Sequence, residues 1–159
     1  MNKLSIAHIE AVAAAFGFNT DTAEIVYPYG EGHINDTIVV QSADGRRSIV
    51  QRINKSVFAR PDEVMENIVL VTDWIRERIR EEGGDPGRQT LTVLPTRDGG
   101  SYHLDGSGEY WRAYHFIEGT YTLQRSRSTQ DFYCSARAFG QFQNWLADFP
   151  VGDLYETIT

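Results

Sequence analysis

Apolar residues recur at three- and four-residue intervals in three stretches of the chain, a spacing typical of amphipathic helices. The first stretch predicts a short helix over about residues 4–16. The second predicts a helix of about five turns that begins at Pro61 and stops before Gly83, since proline suits a first helical turn. The third predicts a helix from Thr129 to Ala147.

Between these helices the pattern changes to short runs of β-prone residues separated by turn residues. The runs cover residues 24–29, 36–41, 47–53, 91–95, 101–104 and 110–117. Asp44-Gly45, between the second and third runs, is a strong signal for a tight hairpin. A helix, three strands, a long helix, two or three strands and a final helix predict an α+β fold with an antiparallel sheet of five to six strands.

Composition supports one folded module and argues against several partners. The chain has 159 residues, of which 41% are hydrophobic, and a net charge of −7 without a Lys/Arg cluster, so nucleic acid and anionic membranes are poor partners. No apolar run approaches the roughly 20 residues of a membrane span. The single cysteine, Cys134, allows no internal disulfide, which favours a cytoplasmic protein, and it is expected to be a buried or half-buried structural thiol.

The segment YPYGEGHINDTIVV, residues 27–40, places Gly30, Gly32, His33 and Asn35 between the first two predicted strands. Glycines in a hairpin bend let backbone N–H groups approach phosphate oxygens, as the cover loop of a kinase does. A simpler interpretation is that the glycines only provide the positive φ of a turn and that His33 is a solvated imidazole. The chemistry of the loop leaves both interpretations open.

The order of elements favours the phosphate interpretation. In kinases a cation on the third strand reaches the phosphates, and a carboxylate on the next helix orients that cation. Here Arg52 lies on the third predicted strand, and Glu63 and Glu66 lie in the first turns of the next helix. The simpler alternative is a surface arginine and two acids placed favourably near a helix N-terminus. The sequence has no P-loop, no zinc-ligand spacing and no G-x-S-x-G motif.

Several motifs in this order resemble those of the N-acetylhexosamine 1-kinases, within the aminoglycoside phosphotransferase and choline kinase-like superfamily. They are a GHIN turn, an NKSVF stretch after the third strand, a W-R-x-Y-x-F-I-E strand at residues 111–118 and an F-G-x-F-Q-N helix at residues 139–144. The resemblance covers nearly the whole chain. It implies a kinase-like N-terminal lobe at residues 1–118, and the hinge exit with the first helix of a C-terminal lobe at residues 119–159.

The resemblance implies ATP-dependent phosphorylation of the anomeric hydroxyl of N-acetylglucosamine or N-acetylgalactosamine. The residues it assigns are Gly30, Gly32, Asn35, Arg52, Glu66, Phe116, Ile117 and Glu118 for ATP, and His33 for the sugar. In this interpretation the glycine segment, residues 30–35, covers the phosphates. Arg52 and Glu66 form the phosphate-positioning pair, and residues 116–118 form a hinge whose backbone pairs with adenine.

The chain also departs from the kinase pattern. Its cation is an arginine instead of a lysine, and it has no H-x-D-x-x-x-x-N catalytic loop, because Asp62 to Asn67 lie inside a predicted helix. We therefore expect the catalytic aspartate and the Mg²⁺ ligands in a further part of a longer protein, and this chain alone to be inactive. The alternatives are a kinase acting on choline, another amino alcohol or an aminoglycoside, and a noncatalytic binding module of the same fold.

The last predicted helix has more large apolar side chains than a small sheet can bury. They are Phe139, Phe142, Trp145 and Phe149. Since an exposed apolar surface of this kind promotes association, the sequence predicts self-association through the C-terminal helix.

Overall fold

A computed structural model describes residues 4–30, 34–121, 123 and 125–157. These residues form an α+β fold with one six-stranded antiparallel sheet, as the sequence pattern predicted. In chain order the elements are α1 (Ile6–Ala15), β1 (Glu24–Val26), β2 (Asp36–Gln41), β3 (Arg47–Arg52), α2 (Pro61–Glu81), α3 (Pro86–Gln89), β4 (Val93–Leu94), β5 (His103–Leu104), β6 (Tyr110–His115), α4 (Thr129–Trp145) and a short 3-10 helix, Val151–Asp153.

The strands are arranged in the order β1-β2-β3-β6-β4, and β5 pairs with the other part of β6. The first three strands form a meander, whose second turn is closed where the Ser42 N–H donates to the Arg46 carbonyl oxygen at 2.9 Å and Gly45 has a φ of 83°. The Asp-Gly turn is therefore confirmed. β6 lies beside β3 although α2, α3 and two strands separate them along the chain.

The register divides the side chains of the sheet between two faces, because directly paired residues of antiparallel strands point to the same side. The first face carries Asp36, Ile38 and Val40 of β2, Ser48, Val50 and Arg52 of β3, and Trp111, Ala113 and His115 of β6. The second face carries Thr37, Val39 and Gln41 of β2, Arg47, Ile49 and Gln51 of β3, and Arg112 and Tyr114 of β6.

Helix α1 packs on the first face and forms the main core with it. The cluster consists of Ile9, Val12, Ala13 and Phe16 of the helix with Ile38, Val40, Val50, Trp111 and Ala113 of the sheet. Trp111 and Val40 are fully buried. Burying a side chain of this size stabilises a fold by roughly 1.5–3 kcal/mol. The residues that α1 covers on this face therefore stabilise the fold.

Helix α2 begins and ends where the sequence predicted. Pro61 occupies its first turn, and after its last turn Gly83 has a φ of 73° while the Gly84 N–H donates to the Ile79 carbonyl oxygen at 2.8 Å. Helix α3 follows at once and was not predicted, because its four residues lie within a Gly/Pro-rich break.

Helix α4 packs on α2 through its C-terminal end. Trp145 joins Ile75 and Ile79 in a second core cluster, and the Trp74 Nε1–H donates to the Trp145 carbonyl oxygen at 2.7 Å. Phe149 is also buried and contacts the Trp74 ring. The boundary between residues 118 and 119 stays a prediction, although residues on both sides of it contribute to this cluster.

The rest of α4 is largely exposed, with Phe132 and Phe139 at 69% and 70%, since the helix reaches α2 through its C-terminal end. The exposure of Phe139 and Phe142 agrees with the apolar surface that the sequence predicted, whereas Trp145 and Phe149, predicted in the same surface, are buried. The prediction of a buried or half-buried Cys134 is wrong, because this thiol is exposed. Within the described ranges, no helix combines the length and apolar character needed to cross a bilayer.

Candidate functional site

Gly30 lies at an exposed bend after β1. It has a φ of 75°, and no atom of the described residues lies within 4 Å of the position that a Cβ would occupy there. Gly30 therefore has the positive φ that the turn interpretation requires. Asn35 Oδ1 accepts a hydrogen bond of 3.0 Å from the Asn54 N–H, which ties the end of the glycine segment to the residues after β3. The predicted Gly32 and His33 lie outside the described residues.

Arg52 lies on the first face and binds Asp36 across the strands. Its Nε donates to Asp36 Oδ2 at 2.8 Å and its Nη2 to the same oxygen, and the two side chains are only 17% and 13% exposed. The structure does not bring Arg52 to Glu66, and the described residues contain no ion pair between them. Glu66 is exposed on α2, where its hydrogen bond to Tyr155 raises the pKa of that phenol.

Arg52 and Asp36 line a groove of about 740 Å³ between the start of α1 and the ends of β2 and β3. A second cation in the groove, Lys55, contacts Glu109 Oε1 at 3.1 Å and donates to the Gly108 carbonyl oxygen at 2.8 Å. Both cations are already neutralised by carboxylates. The groove therefore offers an incoming anion little uncompensated positive charge.

Asp105 connects α1 to the turn between β5 and β6. One carboxylate oxygen is 2.8 Å from His8 Nε2 and accepts from Trp111 Nε1 at 2.7 Å, while the other accepts from the N–H groups of Ser107 and Glu109 at 2.8 and 3.0 Å. Burial opposes the charged form, but the hydrogen bonds from the Ser107 hydroxyl, the Glu109 N–H, Trp111 and His8 outweigh it and lower the pKa of Asp105. Asp105 thus holds α1 over the first face, a structural role that the sequence did not indicate.

The predicted hinge follows β6, and two arginines from elsewhere in the chain fix its path. Arg47 donates from Nε to Glu118 Oε1 at 2.9 Å, lowers the pKa of Glu118, and places its guanidinium carbon 4.0 Å from the centroid of the Phe116 ring. Arg88 of α3 donates to the Glu118 carbonyl oxygen at 2.9 Å. Among described residues, the N–H groups of Ile117 and Glu118 have no hydrogen-bond acceptor.

A polar cluster on the second face was missed by the sequence interpretation. Gln51 Oε1 accepts from Arg112 Nε at 3.3 Å, from Arg112 Nη2 at 3.1 Å and from the Tyr114 hydroxyl, while Gln51 Nε2 donates to Thr37 Oγ1 at 2.9 Å. Burial raises the pKa of Tyr114, and the Arg112 charge opposes that rise. Within the described part of the chain, no carboxylate pairs with Arg112.

The start of α2 also borders the second face. Leu104 pairs with Tyr110, so the alternation of side chains places Tyr102, whose ring centroid is 5.3 Å from that of Tyr110, on this side. Burial raises the pKa of Tyr102, and the charges of Asp62 and Glu66 raise it further. Glu66 therefore lies towards the face opposite the one that carries Arg52.

The described residues do not assemble a metal site, since no group of three or more His, Cys, Asp or Glu side chains among them could hold an ion. The Mg²⁺ that the resemblance implies stays a prediction. A search against models of protein families finds no match.

Proposed function

We propose that this chain is the nucleotide-binding lobe of an ATP-dependent small-molecule kinase. The observation that carries this proposal is the placement of β6 beside β3 after the crossover through α2. With this placement, the start of α2 and the segment that leaves β6 border the second face of the sheet, and Tyr29, which directly precedes the glycine segment, contacts Phe116. These three parts are the ones that cover the phosphates, orient the phosphate cation and bind adenine in kinases.

In this proposal adenine lies between the glycine segment and the hinge. One of the N–H groups of Ile117 and Glu118, which have no acceptor among the described residues, would donate to a ring nitrogen of adenine, while Val39 and Ile49 of the second face would provide apolar contact. Phe116 and the Arg47–Glu118 pair would hold the hinge in place for this contact. Backbone recognition of this kind depends on the path of the chain and less on side-chain identity.

We further propose that the phosphate acceptor is the anomeric hydroxyl of an N-acetylhexosamine, as the resemblance implies, with His33 near the sugar. The catalytic aspartate and the ligands of Mg²⁺ would belong to a further part of a longer protein, because this sequence contains no catalytic-loop motif. Mg²⁺, when bound, would neutralise charge on the phosphates. The role of this chain is to bind and orient the nucleotide.

The proposed reaction is tested on the full-length protein by measuring ADP release with ATP and a panel of acceptors. We expect N-acetylglucosamine or N-acetylgalactosamine to give the highest kcat/KM. A higher value with choline, another amino alcohol or an aminoglycoside would favour the alternative acceptor. ATP binding without turnover of any acceptor would favour the noncatalytic module, and the absence of both binding and turnover would contradict the nucleotide proposal itself.

Two glycines make a matched pair for testing the phosphate loop. Gly30 and Gly45 both have positive φ, 75° and 83°, and no atom of the described residues lies within 4 Å of the missing Cβ at either position. Alanine at either position should cost a similar backbone energy of about 1–2 kcal/mol. Only Gly30→Ala should raise the KM for ATP, because only that bend borders the proposed nucleotide. An equal change in KM for Gly45→Ala would remove the special role of Gly30.

A further inference from the structure

We infer that Arg112, held by Gln51 and Tyr114, is the residue that contacts the nucleotide phosphates, and that Arg52 instead holds β2 to β3. This inference rests on the proposed function, since it identifies the cation of the same site. Arg52 was assigned from its position on the third strand, whereas Arg112 is assigned from its position on the second face of the sheet.

Arg52 and Arg112 lie on opposite faces of the sheet. Arg52 shares its face with Val50 and Ser48, and α1 covers that face. The residue of β3 that points to the other side near the same end is Gln51. Gln51 is neutral, so β3 provides no cation at this position of the second face. Its direct partner across the strands, Arg112 of β6, does.

Arg112 lies on β6, the strand that leads into the hinge. Phe116 lies four residues further along the chain, which is about 13 Å for extended backbone. That span is comparable to the distance from the purine to the outer phosphates of an extended nucleoside triphosphate. Tyr29, which directly precedes Gly30, contacts the Phe116 ring with centroids 6.0 Å apart. The hinge and the start of the glycine segment therefore meet near the same side as Arg112.

Arg112 differs from the neighbouring cations in the charge of its hydrogen-bond partner. Arg52, Lys55 and Arg47 each have a carboxylate partner. Arg112 instead directs two N–H groups at an amide oxygen, which orients the guanidinium without neutralising it. An oriented guanidinium with remaining donors suits bidentate binding of a phosphate, since its planar fork matches two phosphate oxygens.

The inference is tested on this 159-residue chain by titrating it separately with MgATP and with adenosine, followed by NMR chemical shifts. Arg112→Gln should weaken MgATP binding about ten- to a hundredfold, the range expected for loss of hydrogen bonds to a charged group. Adenosine binding should stay within about twofold, because adenosine has no phosphate. Arg52→Gln should leave both affinities within about twofold.

A second variant keeps the test decisive if Arg112→Gln does not fold. Gln51→Glu preserves the acceptor for Arg112 but neutralises the guanidinium, so MgATP binding should again weaken about tenfold or more while adenosine binding is unchanged. Gln143→Glu adds the same charge on the exposed part of α4 and should change neither affinity. This control separates neutralisation of Arg112 from the change in net charge.

The outcomes distinguish failure of the inference from failure of the proposed function. If the unmodified chain binds MgATP and adenosine but Arg112→Gln or Gln51→Glu binds MgATP as tightly, the inference is overturned and the nucleotide site stands. A larger loss for Arg52→Gln than for Arg112→Gln would also overturn it. If the unmodified chain binds neither compound at millimolar concentration, the proposed function fails and the inference fails with it.

Discussion

At the residue scale, the two polar contacts on the α1 side of the sheet stabilise the fold. Asp36 and Arg52 join β2 to β3, and Asp105 joins His8 to Trp111. Both carboxylates are largely shielded from water, where a charge without its partner is costly. Their substitution should therefore change stability without acting on a ligand.

The Asp36–Arg52 pair should show strong coupling in a double-mutant cycle. Asp36→Asn or Arg52→Gln alone should lower the free energy of unfolding by about 1–3 kcal/mol, since each leaves a poorly solvated charge unpaired. The double variant should lose less than the sum of the two single losses. Urea unfolding followed by circular dichroism measures the free energy of unfolding of the unmodified chain, the two single variants and the double variant. Strictly additive losses would show that the contact contributes no coupling energy.

Asp105 should make the stability of the protein depend on acid pH. Because its pKa is lowered in the folded state, its stabilising effect is complete above the ordinary aspartate pKa and is lost as the pH falls through the folded-state value. Asp105→Asn should lower stability by about 2–4 kcal/mol at neutral pH. The difference from the unmodified chain should shrink below about pH 4. Unfolding curves between neutral and acid pH test this, and a constant difference would contradict the assignment.

At the element scale, sequence periodicity located the helices and strands but not all of their buried sides. Gly83 and Pro61 mark the ends of α2 through local backbone preferences, which need no tertiary information. Helix α4 shows the limit of such patterns. The sequence predicted that Trp145 and Phe149 share an exposed apolar surface with Phe139, but the C-terminal end of α4 meets α2 and both of these side chains are buried.

The hinge after β6 should depend on Arg47 for its order. Removing the Arg47 guanidinium eliminates both the Glu118 pair and the contact with the Phe116 ring. Arg47→Ala should therefore lower the NMR backbone order parameters of residues 117–120 while those of β6 stay unchanged. Arg46→Ala is the matched control, since it removes a neighbouring exposed arginine whose carboxylate partner is Asp44. Equal order parameters in both variants would mean that other contacts fix the hinge.

At the scale of the whole molecule, α4 leaves an apolar surface whose partner is not specified by the structure. Its exposed large side chains are Phe132, Tyr133, Phe139 and Phe142, at 69%, 59%, 70% and 44% exposure. Three of them recur at helical spacing, so they form a stripe along one side of the helix. A second copy of the chain is the partner that the sequence predicted for this surface.

Sedimentation velocity over a range of concentrations tests this association. The unmodified chain should sediment faster as its concentration rises, and Phe139→Ser should weaken that dependence by removing apolar contact area. Leu104→Ser is the control, because it removes an exposed apolar side chain from β5 at 50% exposure. A strict monomer at high concentration would contradict self-association of the chain.

The sequence by itself determined the order of the long helices and the strands and the ends of α2, because these properties depend on neighbouring residues. It placed Arg52 on β3. The tertiary structure alone decided which cation lies on the second face, because pairing of β3 with β6 joins Gln51 to Arg112 across 61 positions and Arg47 to Glu118 across 71. Adjacent residues of a strand point to opposite faces, so the order of residues in β3 does not show which face each neighbour occupies. The register with the distant strand β6 decides it.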